Sequence, residues 1–266
     1  MNQPITITLT ANEGVLIRQG NHRLLVDGIH RGGGGFSPVP SDLLEEMCQG
    51  VPPFDNIDLV LYTHCHPDHF HPGDTARYLE NNQVKGLFLP DEPLAHRSDL
   101  MEAAARSGCA LRWLSSPMGK VRLFSPLPGV HIGACRLPHA GGKDFEGVAN
   151  YCLLISLEGF NIFIPADADY LPEEFSRILA GTRVDLAMVN PLYVNKPEGR
   201  ASIAAVAPRS LVVYHMPFEG MDQLGFRRAI QRNLVRHHDT LPPTSLLWNP
   251  RQTLAFAPLP QGNETL

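Results

Sequence analysis

Thr63-His64-Cys65-His66-Pro67-Asp68-His69 comes directly off the end of the apolar run Leu59-Val60-Leu61-Tyr62. A short, nearly continuous apolar run of this kind reads as a buried strand. In extended chain, residues two apart point the same way, so His64 and His66 can grip one ion from one side. The turn at Pro67 lets Asp68 and His69 aim differently, at a second ion. Imidazole nitrogen suits zinc, iron and manganese, and a carboxylate adds an oxygen donor for the same metals. Three His and one Asp within six residues are too many groups that want solvation for packing to explain. Alternation turns Cys65 away from His64 and His66, which makes it a packing residue.

Upstream, Ile5, Ile7 and Leu9 alternate with Thr6, Thr8 and Thr10, the period of a half-buried strand. Val15-Leu16-Ile17 and Leu24-Leu25-Val26 follow at hairpin spacing, with Asp27 ending the second run. Gly32-Gly33-Gly34-Gly35 is a loop. It lacks the Gly-Lys-Ser/Thr ending of a phosphate-binding loop, and it is either a plain mobile loop or a lip over a binding site. Downstream of the heptad the pattern alternates. A helix is predicted near Pro72–Leu79, a strand at Val84–Leu89, a helix at Leu94–Arg106 and a strand at Ala110–Leu114. The second half repeats the logic, with strands at Val130–Leu137, Tyr151–Leu157, Asn161–Pro165, Asp185–Val189 and Leu211–Tyr214. Helices are predicted at Pro172–Leu179 and Met221–His237. Strand-rich blocks followed by strand–helix blocks, twice, imply α/β layering in two similar halves. No linker marks a boundary, so the whole chain, 1–266, reads as one domain.

Composition narrows the function classes. The 266 residues are 43% hydrophobic and 18% charged, with a net charge of −5, which is globular and excludes global disorder. The acidity argues against a nucleic-acid partner. Arg227, Arg228, Arg232 and Arg236 read as the solvated outer face of a helix whose inner face carries Phe226, Ile230 and Leu234, with an anion site as the other reading. Five cysteines (Cys48, Cys65, Cys109, Cys135 and Cys152) are odd in number and contain no CxxC pair, so a reducing, cytoplasmic setting is expected. Neither a secretory signal nor an apolar run of 18 residues is visible, so no membrane partner is expected.

The segment His64-x-His66-x-Asp68-His69 resembles the His-x-His-x-Asp-His motif of the metallo-β-lactamase superfamily. The other pieces stand in the expected order across nearly the whole chain. Asp27 is similar to the family's first Asp, and His139, in Leu137-Pro138-His139, to its next His. Asp167, in Phe163-Ile164-Pro165-Ala166-Asp167, is similar to the bridging Asp. His215, in Val212-Val213-Tyr214-His215, is similar to the last His. Asn150-Tyr151-Cys152 and the lack of a long insertion look most like the branch containing L-ascorbate-6-phosphate lactonase. Ala166 departs from the family's usual Gly, and Asp169, two residues on, is the alternative bridge. His69 completes the motif and the chain lacks the Glu exchange expected in the di-iron flavoprotein branch, which favours hydrolysis over oxygen chemistry.

The resemblance implies an αββα sandwich, two mixed sheets flanked by helices, with the site along one edge. It implies His64, His66 and His139 on one divalent metal ion and Asp68, His69 and His215 on a second, with Asp167 bridging. Zinc, manganese and iron all accept such ligands. Asp27 would fix a ligand His from behind. The implied activity is that of a binuclear metal-dependent hydrolase. Metal-bound hydroxide would attack a small ester, lactone or phosphodiester, with Asp68 as catalytic proton acceptor. Tyr193, Asn195 and Phe218 are candidate substrate contacts, and the partners expected are a small-molecule substrate and further copies of the chain. A superfamily nuclease and a metal-binding protein without turnover are the other readings. His30 could reach the site mouth. His71 reads as a surface or helix-start residue, and His22, His131, His237 and His238 as surface.

Overall fold

A computed structural model describes residues 3–257. Two seven-stranded sheets form the centre. The first contains β1 (Ile5–Leu9), β2 (Val15–Gln19), β3 (His22–Val26), β4 (Leu59–Leu61), β5 (Gly86–Pro90) and β6 (Ala110–Leu114) in sequence order. The second contains β7 (Val121–Leu127), β8 (Val130–Arg136), β9 (Tyr151–Leu157), β10 (Phe160–Ile164), β11 (Leu186–Val189), β12 (Ser210–Val213) and β13 (Thr244–Leu246). The late strand β14 (Thr253–Phe256) returns to the first sheet and pairs antiparallel with β1.

Each sheet is half antiparallel and half parallel. β1–β2–β3 is a meander and β3–β4–β5–β6 run parallel. β7–β8–β9–β10 is a meander and β10–β11–β12–β13 run parallel. The sheets pack face to face. Leu24, Val26, Leu59, Leu61 and Phe88 meet Ile132, Leu153, Ile155, Ile162 and Met188 between them. Leu25, Val60, Leu87 and Leu89, one residue out of phase, face the opposite way into a second core. That alternation explains the near-continuous apolar reading of β4 and β5, since both their faces are covered.

Helices supply the outer layers. The core behind the first sheet takes residues from α1 (Ser41–Cys48), α2 (Pro72–Asn81) and α3 (Ser98–Ser107). The core behind the second takes residues from α4 (Pro172–Leu179), α5 (Leu192–Asn195), α6 (Pro197–Val206) and α7 (Phe226–Arg236). This is the αββα sandwich that the sequence implied, two mixed sheets flanked by helices.

Two predicted helices are shorter than expected. Leu94–Arg106 divides into a 3₁₀ turn, Pro93–His96, and α3, because Arg97 between them is extended (ψ 136°). Met221–His237 reduces to α7. Gly220 and Gly225 adopt positive φ (85° and 70°), and the Asp222 carboxylate accepts from the Phe226 and Arg227 amides at 3.0 and 2.8 Å, which starts the helix there. Arg228, Arg232 and Arg236 are exposed on its outer face, as the periodicity required. Arg227 instead lies over the Trp248 ring at 4.2 Å and serves packing. No helix among the described residues is long and apolar enough to cross a membrane.

Candidate metal centre

The carboxyl ends of β4, β8, β10 and β12 converge on one edge of the sandwich, where open α/β sheets place their sites. β4 delivers the loop His64–His69, β8 leads to His139, β10 to Asp167 and β12 to His215. His64, His66 and His139 offer ligand atoms within 4.8 Å of one another, and so do His64, His69 and Asp167.

Asp167 sits at the middle. Its Oδ2 lies 3.5 Å from both His139 Nε2 and His69 Nε2 and 4.0 Å from His64 Nε2. Its Oδ1 lies 3.4 Å from His215 Nε2. Asp68 Oδ2 is 3.7 Å from His215 Nε2 and 4.0 Å from His69 Nε2. Asp169 takes no part: its carboxylate accepts from the Tyr170 amide at 2.8 Å, outside the cavity lining.

Metal-ligating histidines characteristically spend one ring nitrogen on the protein and keep the other for the ion. The pattern here fits. His69 Nδ1 meets Asp27 Oδ2 at 3.1 Å, His64 Nδ1 meets Thr63 Oγ1 at 3.1 Å, and His139 Nδ1 meets the Ala140 carbonyl at 2.5 Å. His215 Nδ1 meets the Asn12 side-chain amide at 3.3 Å. His66 reverses the choice and turns its Nδ1 to His64 Nε2, 3.1 Å away. His69 Nε2 and His139 Nε2 are buried without any hydrogen bond. On a tetrahedral zinc with bonds of about 2.0–2.1 Å, ligand atoms lie roughly 3.3 Å apart. The close spacings around Asp167 are of that size, so the residues fit divalent cations.

Electrostatics point the same way. Burial pushes His64 well below the ordinary imidazole range, and the His69 charge adds to it. Burial lowers His66 also, helped by His139. Burial opposes the charge on His69, but Asp167 and Asp27 override it and hold the ring well above its usual range. For Asp167, burial favours the neutral acid, yet His215, His139 and His69 pull it well below the carboxylate range. Charged groups at such density, inside protein, mark a functional site.

Asp27 stands behind the His64–His69 loop. Its carboxylate takes the Thr63 amide and hydroxyl at 2.8 and 2.6 Å as well as His69, fixing the start of that loop. Ala166, where a Gly was the usual residue, has φ 53°, the left-handed conformation that favours glycine. His71 caps α2 by accepting from the Asp74 amide at 3.0 Å. Cys65 is buried in the core behind the first sheet.

Over the centre lies a cavity of about 480 Å³. Phe36, Phe145, Tyr170, Leu192 and Phe226 supply apolar wall, and Gly33, Gly34 and Lys196 also line it. Of the two readings of the glycine stretch, the structure places it as a lip. Phe36 stands edge-on to the His215 ring, centroids 4.4 Å apart, and stacks on Phe226. Buried His30 anchors that lip from inside, its Nδ1 accepting from the Gly32 amide at 3.1 Å. The three expected substrate contacts lie elsewhere. Tyr193 is buried and donates its hydroxyl to the Ala168 carbonyl at 2.9 Å. Asn195 accepts from Asn233 at 2.9 Å, and Phe218 packs against the inter-sheet core. The helical turn after β11 rotates Leu192 and Lys196 to the cavity instead.

One acidic residue escaped the sequence reading. Glu13, in the β1–β2 turn, reaches the same centre, with Oε2 3.5 Å from His215 Nε2. Burial pushes its carboxyl up to about 7. Burial opposes the His215 charge too, but Glu13 and Asp167 raise that ring to about 9. A single acid in a hairpin turn is ordinary surface chemistry, so nothing in the sequence flagged it.

Residues 36–238 match the family Lactamase_B_2, the beta-lactamase superfamily domain. The chain belongs to that superfamily, in its metallo-β-lactamase form. It is similar in fold to Igni18, a metallo hydrolase from Ignicoccus hospitalis (TM-score 0.62, 14% identity, 96% of this chain and 99% of that one). It is also similar to unliganded yeast PDE1 (TM-score 0.60, 12% identity, 96% and 100% covered). Zn²⁺-bound PqqB from Methylobacterium extorquens shares the fold as well (TM-score 0.55, 13% identity, 91% and 86% covered). No curated protein sequence matches the chain.

Proposed function

We propose that the chain is a binuclear metal-dependent hydrolase of a small ester, lactone or phosphodiester. The observation that carries this is Asp167, whose two carboxylate oxygens face both histidine groups, His64 and His139 on one side and His69 and His215 on the other. His64, His66 and His139 would hold one cation and Asp68, His69 and His215 the other, with Asp167 between them. Two bound cations, zinc, manganese or iron, would lower the pKa of a shared water and polarise the substrate's oxygen.

The chain's own groups do the rest. Asp68 lines the cavity and can take the proton released as water attacks. The aromatic walls give the cavity an apolar lining, which strengthens charge interactions beside it. Lys196 sits over the Tyr170 ring, its Nζ 5.0 Å from the centroid, and offers a cation to an anionic substrate end. Buried Asn150 holds the bridging loop, accepting from the Asp167 amide at 3.2 Å and donating to the Pro165 carbonyl at 3.4 Å. The Asn150-Tyr151-Cys152 run and the lack of a long insertion are what support a place near the ascorbate-6-phosphate lactonase branch.

The test is turnover by metal-loaded protein on activated esters, lactones and phosphodiesters. Asp68→Asn should lower kcat by about 10²–10⁴-fold, the range for a general base. Wild-type protein that holds two metals yet hydrolyses none of these would instead be a metal-binding protein without turnover. An unchanged rate in Asp68→Asn would remove Asp68 from the mechanism.

A further inference from the structure

The β1–β2 turn is buried. Thr10, Ala11 and Asn12 are fully enclosed and Glu13 is 1% exposed, whereas hairpin turns belong on the surface. The turn is also fixed in place. The His215 amide donates to the Asn12 carbonyl at 2.7 Å, which ties it to the end of β12. The Thr10 amide donates to the Gly14 carbonyl at 2.8 Å, closing the turn itself. Gly14 is required there: a Cβ would stand 2.3 Å from Thr10 Oγ1 and 2.8 Å from the Asp27 carbonyl oxygen. The backbone therefore holds Glu13 against His215, at the candidate metal centre.

Neither Glu13 oxygen makes a hydrogen bond. The Tyr214 phenol lies beside the carboxyl, but not in bonding geometry. A buried carboxylate that accepts no hydrogen bond is unfavourable, even with the His215 ring 3.5 Å away. Its companions explain it. Glu13, His69 and His215 offer ligand atoms within 4.8 Å of one another, and His69 Nε2 is equally unpartnered. Asn12 completes the arrangement. Its Oδ1 is buried without a partner, and its Nδ2 faces His215 Nδ1. With the amide turned over, Oδ1 accepts from Nδ1–H and leaves His215 Nε2 free as a donor to metal.

We propose that Glu13 is a direct ligand of the cation held by His69 and His215, closing that position from the buried side while Asp68 closes it from the cavity. The inference rests on the two-cation reading above. It makes the two positions chemically unequal. One has three imidazoles and a shared carboxylate. The other has two imidazoles and three carboxylates counting Asp167, a harder donor set suited to manganese or iron(II).

The experiment is metal uptake by full-length, chelator-stripped protein, read by calorimetric titration with Mn²⁺ and by metal content after gel filtration. Wild type should take up two equivalents. Glu13→Gln should keep one and bind the second at least tenfold more weakly, while its metal-free circular dichroism spectrum matches that of wild type. Equal uptake and affinity in both proteins overturns the Glu13 assignment and leaves the hydrolase reading standing. Fewer than two equivalents in wild type overturns both. If Glu13→Gln does not fold, Glu13→Asp takes its place. Its shorter arm should weaken the second equivalent, and an unchanged affinity overturns the proposal.

Discussion

The two sheets are built alike but serve the candidate metal centre differently. In each, an antiparallel meander passes into parallel strands, and the last meander strand, β3 or β10, leads to an aspartate through a left-handed residue. After β3 that aspartate is Asp27, itself at φ 47°; after β10 it is Asp167, preceded by Ala166 at φ 53°. Asp27 is buried and grips Thr63 and His69 from behind. Asp167 lines the cavity and faces the ring nitrogens. One backbone device thus yields a support in one half and a candidate bridge in the other. What separates them is whether a loop covers them, as His64–His69 covers Asp27.

Asparagine at each position breaks this comparison most sharply. Asp167→Asn should lose about 10³-fold or more in kcat/KM, roughly 4 kcal/mol of transition-state stabilisation, and added metal should not restore it. Asp27→Asn should weaken metal binding by about 10–100-fold, and excess metal should recover most of the rate. Steady-state kinetics across a metal titration separates the two. Equal, metal-rescuable losses would mean both residues only orient ligands.

The halves also differ in how they can be read. The first packs His64, His66, Asp68 and His69 into one loop, so the sequence alone announces a metal site. The second supplies His139, Asp167 and His215 singly, each at a strand end, and only their order in the superfamily pattern brought them out. Glu13 had no such pattern. Asn12-Glu13-Gly14 looks like any polar hairpin turn, and its burial depends on β12, some two hundred residues away in the chain. The cavity wall was hidden for the same reason. Phe36, Phe145 and Phe226 come from three unconnected loops and helix starts, and only tertiary packing brings them together. β14 was missed because its partner β1 lies at the other end of the sequence. Local periodicity carries strands and helices, but not which surface a loop ends up under.

A smaller effect sharpens the same pairing. Ala166→Gly removes a Cβ from a left-handed residue, relieving about 1–2 kcal/mol of backbone strain. The more flexible unfolded chain takes back about 0.4–1 kcal/mol. Net stabilisation of up to about 1.6 kcal/mol is expected, read as a higher urea midpoint at unchanged m-value. A lower midpoint would mean that the Ala166 methyl, buried at 2% exposure, contributes more by packing than its conformation costs.

The smallest effect concerns the lip, which only the first half provides. Arg31 opens the glycine stretch and grips Asp74 at the start of α2 by two bonds, 2.7 and 2.9 Å. The Arg31 side chain is 65% exposed, so the pair is worth less than about 1 kcal/mol. Burial opposes the charge on Asp74, but Arg31 and His71 hold its carboxyl below the ordinary range. A depressed carboxyl contributes stability above its unfolded pKa and loses it as pH falls through the folded value. Arg31→Ala should therefore be slightly less stable than wild type near neutrality, with the gap closing in acid below the ordinary carboxylate range. On the cavity side, a looser lip should raise KM about two- to fivefold and leave kcat unchanged, because Phe36 and the two glycines touch the substrate space but no ligand nitrogen is bonded to them. A fall in kcat would instead tie the lip to the metal centre itself, through the contact of Phe36 with the His215 ring.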